Sequence, residues 1–377
     1  MKIEPFEMER MQSTWENLVE FDMSESGVRP VSLRELAEMG LDLDSILDMP
    51  LGYSQSNGTL GLREELTRVY PGASVEQIEV TNGTSEANYL LALALLREGD
   101  EVALEVPNYM QYGGVPRSMG AKMNHFRLRI DADWEPDWEE FERAVNPRTR
   151  LVYLSNPNNP SGSVLTPAAM ERIVRRCEEV GAYLLADEVY LGAEIHRERT
   201  ASFWGMSDRV IVTSGLSKAY GIPGVRIGWI VGPKDVVAEC WSQHDYITIG
   251  PNKISDAVAR IAVRPENREK LYARTRTILQ QTDVPGSNYT VILALTDIAP
   301  GMVAARHTHP GVEISYVLAG EGDFIIEGKG AMHVKAGQNF RLESGVKHSV
   351  KNGVGPMKIL AVYTIPKGAQ LATPAPE

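Results

Sequence analysis

Between about residue 77 and residue 232, short apolar or β-branched runs alternate with segments whose apolar positions recur every three or four residues. The runs are QIEVTNG, EVALEVP, LVYLSNP, YLLADEVY, RVIVTSGLS and RIGWIVG. Such short apolar or β-branched runs, each followed by a turn, predict strands. The intervening TPAAMERIVRRCEEVG has helical spacing and its own punctuation, with Thr166 as N-cap, Pro167 in the first turn and Gly181 just past the end. This alternation predicts an α/β region with a mostly parallel sheet.

The pattern then changes. SDAVARIAVRPENREKLYARTRTILQQ reads as two helices broken at Pro265. From about Asn288 the runs YTVILALTDIAPG, VEISYVLAGEG, DFIIEGKG, AMHVKAGQ, NFRLESG and MKILAVYTI alternate apolar and polar positions between glycine turns. Such spacing predicts an antiparallel sandwich or small barrel. The expected divisions are therefore an N-terminal arm (1–50), an α/β domain (51–283) and an all-β domain (284–377), with AQLATPAPE as a frayed tail.

Composition narrows the function classes. The 377 residues are 43% hydrophobic and 23% charged, as expected of packed domains rather than a disordered chain. The formal charge of −12 opposes nucleic acid and anionic membranes as partners. From Asp283 onward acids and bases balance at eight each, so the whole acid excess precedes it. Cys177 and Cys240 are too few for a disulfide framework or a zinc site. With an acidic, polar N-terminus and no long apolar stretch, the expectation is a cytoplasmic protein.

Two places carry candidate chemistry. In VTSGLSKAYGIPGVRIGWIVG (212–232), Lys218 follows a strand, and Arg226 stands eight residues later. A lysine there can form a Schiff base with an aldehyde, and the arginine can clamp a phosphate. Upstream, Asp187 ends the apolar run LLADEVY, where a carboxylate is costly without a cationic partner. A protonated pyridine nitrogen would be such a partner.

These segments, with SNPNNPSG (155–162) and GYSQSNGTLGLRE (52–64), resemble the fold-type I pyridoxal phosphate enzymes of the aminotransferase class I/II family over roughly residues 20–282. The resemblance implies a large domain with a mostly parallel seven-stranded sheet. It makes Lys218 the cofactor lysine and proton carrier, Asp187 the pyridinium partner, and Asn159 and Tyr190 the donors to the ring's phenolic oxygen. Thr84, Ser85 and Arg226 would hold the phosphate, with Thr84 and Ser85 at a helix start where backbone N–H groups converge. Tyr109 would stack on the pyridine, and Tyr53 would reach the phosphate of a neighbouring subunit, which implies a homodimer with shared sites. The substrate would be an amino acid.

In GMVAARHTHPGVEISYVLAG (301–320), His307 and His309 are two apart and share a strand face, and the Pro310–Gly311 turn can return Glu313 toward them. His348 in GQNFRLESGVKHSVKN is a fourth candidate ligand for a divalent metal. These segments, with glycines 301, 320, 337 and 345 and with Asn352, resemble the two motifs of the cupin family, implying an all-β barrel over about 288–367. Glu343 replaces the usual proline of the second motif, and His333 reads as an ordinary strand residue.

Where family members continue into a small domain bearing a carboxylate-binding arginine, this chain enters the cupin; Arg29, Arg306 and Arg341 are the candidate substitutes. VEFDMSESGVRPVSLREL is also similar to the opening of capreomycidine synthase-like cyclases of arginine derivatives. The expected activity is an aminotransferase. The alternatives are a lyase or cyclase on an arginine-type substrate, a bifunctional enzyme with a cupin oxygenase or isomerase, and a cupin that only senses a ligand.

Overall fold

The computed structural model describes residues 3–16, 18–19, 26–27, 30–194, 199–298, 303–353, 355, 357–369 and 371–375. The chain folds as two compact units, Met1–Tyr272 and Ala273–Glu377.

In the first unit the apolar runs become β1 (Ile78–Thr81), β2 (Glu101–Val106), β3 (Lys122–Arg129), β4 (Glu135–Pro136), β5 (Thr149–Ser155), β6 (Tyr183–Asp187), β7 (Val210–Gly215) and β8 (Gly228–Val231). They form one sheet in the order β1-β8-β7-β6-β5-β2-β3-β4. Five strands run parallel, while β8 lies antiparallel to both β1 and β7. The expected seven strands become eight because the two residues of β4 pair with the edge strand β3.

Side chains alternate between two cores on opposite faces of the sheet. Along β5, Val152 and Leu154 enter one core and Leu151 and Tyr153 the other. Helices cover both faces: α1 (Glu7–Trp15), α2 (Leu33–Glu38), α3 (Leu43–Leu47), α4 (Leu60–Val69), α5 (Thr84–Leu95), α6 (Gln111–Ser118), α7 (Trp138–Ala144), α8 (Pro167–Val180), α9 (Lys234–His244), α10 (Lys253–Ala262) and α11 (Pro265–Thr277). The punctuation of α8 is as its sequence reads, with Thr166 accepting from Ala169 N and Gly181 in the left-handed region at φ 76°. No helix among the described residues is long and apolar enough to cross a membrane.

The second unit holds β9 (Ile278–Asp283), β10 (Tyr289–Ile298), β11 (Val303–Thr308), β12 (Val312–Ala319), β13 (Glu321–Ile326), β14 (Gly330–Lys335), β15 (Asn339–Leu342), β16 (His348–Asn352), β17 (Met357–Pro366) and β18 (Thr373–Pro374). They make two five-stranded sheets, β15-β12-β17-β10-β9 and β14-β13-β16-β11-β18, whose ladders are all antiparallel. Burial alternates strictly along β17, one side chain facing the core and the next facing outward. Two expectations are corrected here. The stretch from Ile278 is not the end of a helix but a strand paired with β10, because ladder bonds outweigh a weak local helical preference. The tail is not frayed over residues 371–375: Thr373–Pro374 pairs with β11.

Candidate active site and metal cluster

The turns that leave β1, β2, β5, β6 and β7 at their carboxyl ends carry the first set of candidate residues, as is usual in parallel sheets. Asp187 closes β6 and is 5% exposed. Its carboxylate accepts from Tyr112 Oη, from Asn88 Nδ2 at 3.3 Å and from Val189 N at 2.8 Å. Asn88 is held in turn by Thr213 of β7, whose Oγ1 donates at 2.9 Å. Every one of these partners is neutral. Burial accordingly pushes the Asp187 carboxyl above its ordinary range, against the hydrogen bonds that favour the charge.

At the end of β1, Gly83 takes φ 88° and α5 begins at Thr84. A Cβ on Gly83 would collide with the Arg226 guanidinium, and one on Gly228 would collide with the Gly83–Thr84 backbone. A Cβ on Gly215 would lie 2.6 Å from Thr84 Oγ1, a buried hydroxyl with no hydrogen-bond partner among the described residues. Backbone N–H groups, an orphan hydroxyl and a guanidinium thus converge on a cradle that only glycines leave open, and this fits a phosphate. Ser85 is the next residue of the same turn. Its carbonyl accepts from Gln111 Nε2 at 2.7 Å.

Behind the cradle lies a buried network. His244, at the end of α9, sits with Nδ1 2.8 Å from Glu79 Oε1 and Nε2 3.3 Å from Glu86 Oε2. Burial opposes the imidazolium, yet the two carboxylates raise its pKa to about 9. Burial raises Glu79 to about 7, whereas bonds from His244, Asn82 and Thr248 overcome burial and bring Glu86 to about 2. Asn82 Nδ2 donates to Thr248 Oγ1 at 2.8 Å, so the network ties the 248–250 turn to the cradle.

Lys218 follows β7, half-buried, in a turn closed by Gly221 N donating to its carbonyl at 3.0 Å. Asn159 and Tyr190 share a cavity of about 440 Å³ with Ser26 and Glu194, and Ser26 Oγ lies 2.7 Å from Tyr190 Oη. Tyr109 donates to Glu9 Oε1 at 2.6 Å and lies against Phe6, ring centroids 5.0 Å apart. Tyr53 is 90% exposed and lines a cleft of about 610 Å³ with Asn82 and residues 248–253. Of the candidate carboxylate clamps, Arg29 lies outside the described residues, Arg306 pairs with Glu327 at 2.6 Å, and Arg341 pairs with Glu343 at 3.1 Å.

In the second unit, His307 of β11 stands opposite His348 of β16. Nitrogens of His307, His309 and His348 all lie within 4.8 Å of one another. Glu313 on β12 is bonded by Ser315 Oγ at 2.6 Å, and its Oε2 faces His309 Nε2 at 3.2 Å and His348 Nε2 at 3.8 Å. His309 Nε2 and Glu313 Oε2 are buried without a well-formed hydrogen bond. Three imidazoles and a carboxylate with unsatisfied atoms turned inward fit a first-row divalent cation. Gly311 makes the turn possible, because a Cβ there would overlap the Thr364 carbonyl of β17. His333, on β14, is exposed and pairs with Asp323 at 2.8 Å. Gly301 lies outside the described residues.

The sequence did not single out Tyr112, Asn88 and Thr213, which surround Asp187. Asn88 is four residues after Thr84 and so on the same helix face, a usable signal. Tyr112 and Thr213 gave none. The Glu9 contact with Tyr109 was also unforeseen.

The aminotransferase class I and II model matches residues 47–284. The chain belongs to that family. Residues 294–363 match the cupin domain. Capreomycidine synthase from Streptomyces vinaceus is 33% identical over 246 residues, 64% of this chain and 63% of that protein. Arginine–pyruvate transaminase AruH from Pseudomonas aeruginosa is 30% identical over 258 residues, 65% and 66% of the two chains. This aminotransferase-family chain therefore spans just under two thirds of either relative. A crystal structure of a PLP-dependent aminotransferase from Streptococcus suis superposes with a TM-score of 0.66 at 30% identity, covering 73% of each chain. The PLP-dependent cyclase OrfR does so at 0.66 and 26% identity, covering 78% of this chain and 81% of its own.

Proposed function

We propose that the protein is a homodimeric pyridoxal phosphate enzyme that transfers the amino group of an amino acid, with a metal-binding cupin after its α/β domain. The observation that carries this reading is Asp187, a buried carboxylate whose partners among the described residues are all neutral, beside a glycine-walled anion cradle. When bound, pyridoxal phosphate supplies an electron sink for the charge left at the substrate's Cα. Asp187 would hold the ring nitrogen's proton, Thr84, Ser85 and Arg226 the phosphate, and Asn159 and Tyr190 the phenolic oxygen. Tyr109 would cover the ring face. Lys218 would carry the cofactor and then move the Cα proton. Tyr53, exposed beside Asn82, would complete a second subunit's site. His307, His309, Glu313 and His348 would hold the metal. The reading keeps an N-terminal arm, an α/β domain and a cupin, with the second boundary moved from residue 283 to Tyr272/Ala273 because Ile278–Asp283 pairs with β10 of the second unit. The buried free thiols Cys177 and Cys240 suit a reducing compartment.

A second reading, cyclisation or elimination on an arginine-type substrate, draws support from the likeness to capreomycidine synthase and OrfR. The deciding experiment incubates the purified, metal-analysed protein with amino acids, including arginine and its hydroxylated forms, with and without pyruvate, and follows products by mass spectrometry. Pyruvate-dependent conversion to a keto acid and alanine supports transfer. A cyclised product formed without pyruvate supports the second reading. Lys218→Ala should lose the cofactor's visible absorption and all turnover, and a chain still holding the cofactor on another lysine would overturn the site.

A further inference from the structure

The segment after β17 crosses the metal cluster. It leaves the barrel in a turn closed by Ala369 N donating to Pro366 O at 3.0 Å, and Ala369 and Leu371 pack on the cluster of Ile292, Ala361, Tyr363 and Ile365. It then runs antiparallel along β11, with Thr373 opposite Thr308 and Pro374 opposite His307, and Ala375 N donates to Arg306 O at 3.0 Å. Between these anchors the Leu371 carbonyl lies 2.7 Å from His309 Nδ1.

A carbonyl only accepts, so Nδ1 of His309 carries the hydrogen and Nε2 is the nitrogen left to bind. That Nε2 is the buried, unsatisfied atom facing Glu313. His348 is set in the same way, its Nδ1 3.1 Å from the carbonyl of Val346. The difference is the source of the carbonyl. For His348 it comes from two residues upstream, and for His309 from 62 residues downstream, just before the two-residue strand β18 at the sheet edge.

We propose that residues 371–375 form a strap that positions His309 for the metal, so that strap docking and metal binding are thermodynamically coupled. The inference rests on the metal-site reading above. A carbonyl or carboxylate that orients a ligating imidazole commonly contributes 10- to 100-fold in metal affinity. By linkage, the metal must tighten strap docking by the same factor that the strap tightens the metal. Leu371 acts through His309 and touches no metal itself.

The test uses Co²⁺ alone, titrated into the full chain in competition with a chromophoric chelator. A chain ending at Gly368 should bind Co²⁺ about 10- to 100-fold more weakly, while Leu371→Ala, which keeps the carbonyl, should stay within about threefold. Equal affinity in the shortened chain, or an equal loss in Leu371→Ala, would overturn the carbonyl's role. Hydrogen exchange on the intact protein provides the reciprocal reading and does not depend on a variant folding. Co²⁺ should slow exchange of the 371–375 amides, and unchanged rates with the site saturated would overturn the coupling. An intact chain that takes up no Co²⁺ removes the metal site itself and the strap's role with it.

Discussion

Replacing His244 by glutamine tests the buried network behind the cradle, because glutamine matches the neutral imidazole in hydrogen bonding but cannot become a cation. Folding raises the His244 pKa from 6.5 to about 9. At 1.36 kcal/mol per pKa unit, this is about 3 kcal/mol of stabilisation. Because the folded chain holds the proton more tightly, that stabilisation is complete below the unfolded pKa and disappears as pH rises through the folded one. Glu105 and Glu188, which burial raises to about 8, add the same pH dependence to both proteins and cancel in the difference. Glu79, raised to about 7 and bonded to His244, does not cancel: without the imidazolium it keeps its proton to higher pH, which returns part of the deficit as pH falls, so about 3 kcal/mol is an upper bound. The six tryptophans, at 15, 134, 138, 204, 229 and 241, all precede Ala273. Tryptophan fluorescence during urea unfolding of the cofactor-free protein therefore reports the first unit alone. His244→Gln should be less stable than the wild type by up to about 3 kcal/mol near pH 7 and should converge with it near pH 10. A deficit of the same size at both pH values would refute the imidazolium and point to packing.

Gly228→Ala should weaken cofactor binding at least tenfold while leaving the fold in place, read by fluorescence titration of the cofactor-free protein with pyridoxal phosphate. Pyridoxal without the phosphate should be affected much less, since the added methyl displaces the Gly83–Thr84 backbone of the cradle. Asp187→Asn should retain the cofactor and lose at least a hundredfold in turnover, because an amide cannot balance the pyridinium charge. Unimpaired turnover would remove Asp187 from that role.

The parallel sheet was legible because burial on both faces demands continuous apolar runs such as VIVTSG and YLLAD. Nothing comparable announces β4, a pair of residues whose pairing depends on where the β3 edge happens to lie. Ile278–Asp283 read as the end of a helix because ILQQ has no strong preference of its own, and its pairing with β10 is a tertiary decision. The tail misled for a related reason: its hold on β11 is made by backbone groups, which leave no trace in side-chain pattern. Lys218, Asp187 and the two histidine segments stand in local motifs and could be located directly. Tyr112 and Thr213 reach Asp187 from other elements, and only the fold brings them there.

The anion cradle also bears on how the molecule assembles. Its two halves, Gly83–Thr84 and Arg226–Gly228, are separated in sequence by six intervening strands of the sheet, and among the described residues β1 is held in that sheet through β8 alone. Bringing them together requires loop closure over more than a hundred residues, among the slowest contacts for a chain to make. During synthesis the cradle is therefore incomplete until β8 has emerged and inserted between β1 and β7. A phosphate-bearing ligand that needs both halves would bind only the completed sheet, and by mass action would hold the finished topology against reopening.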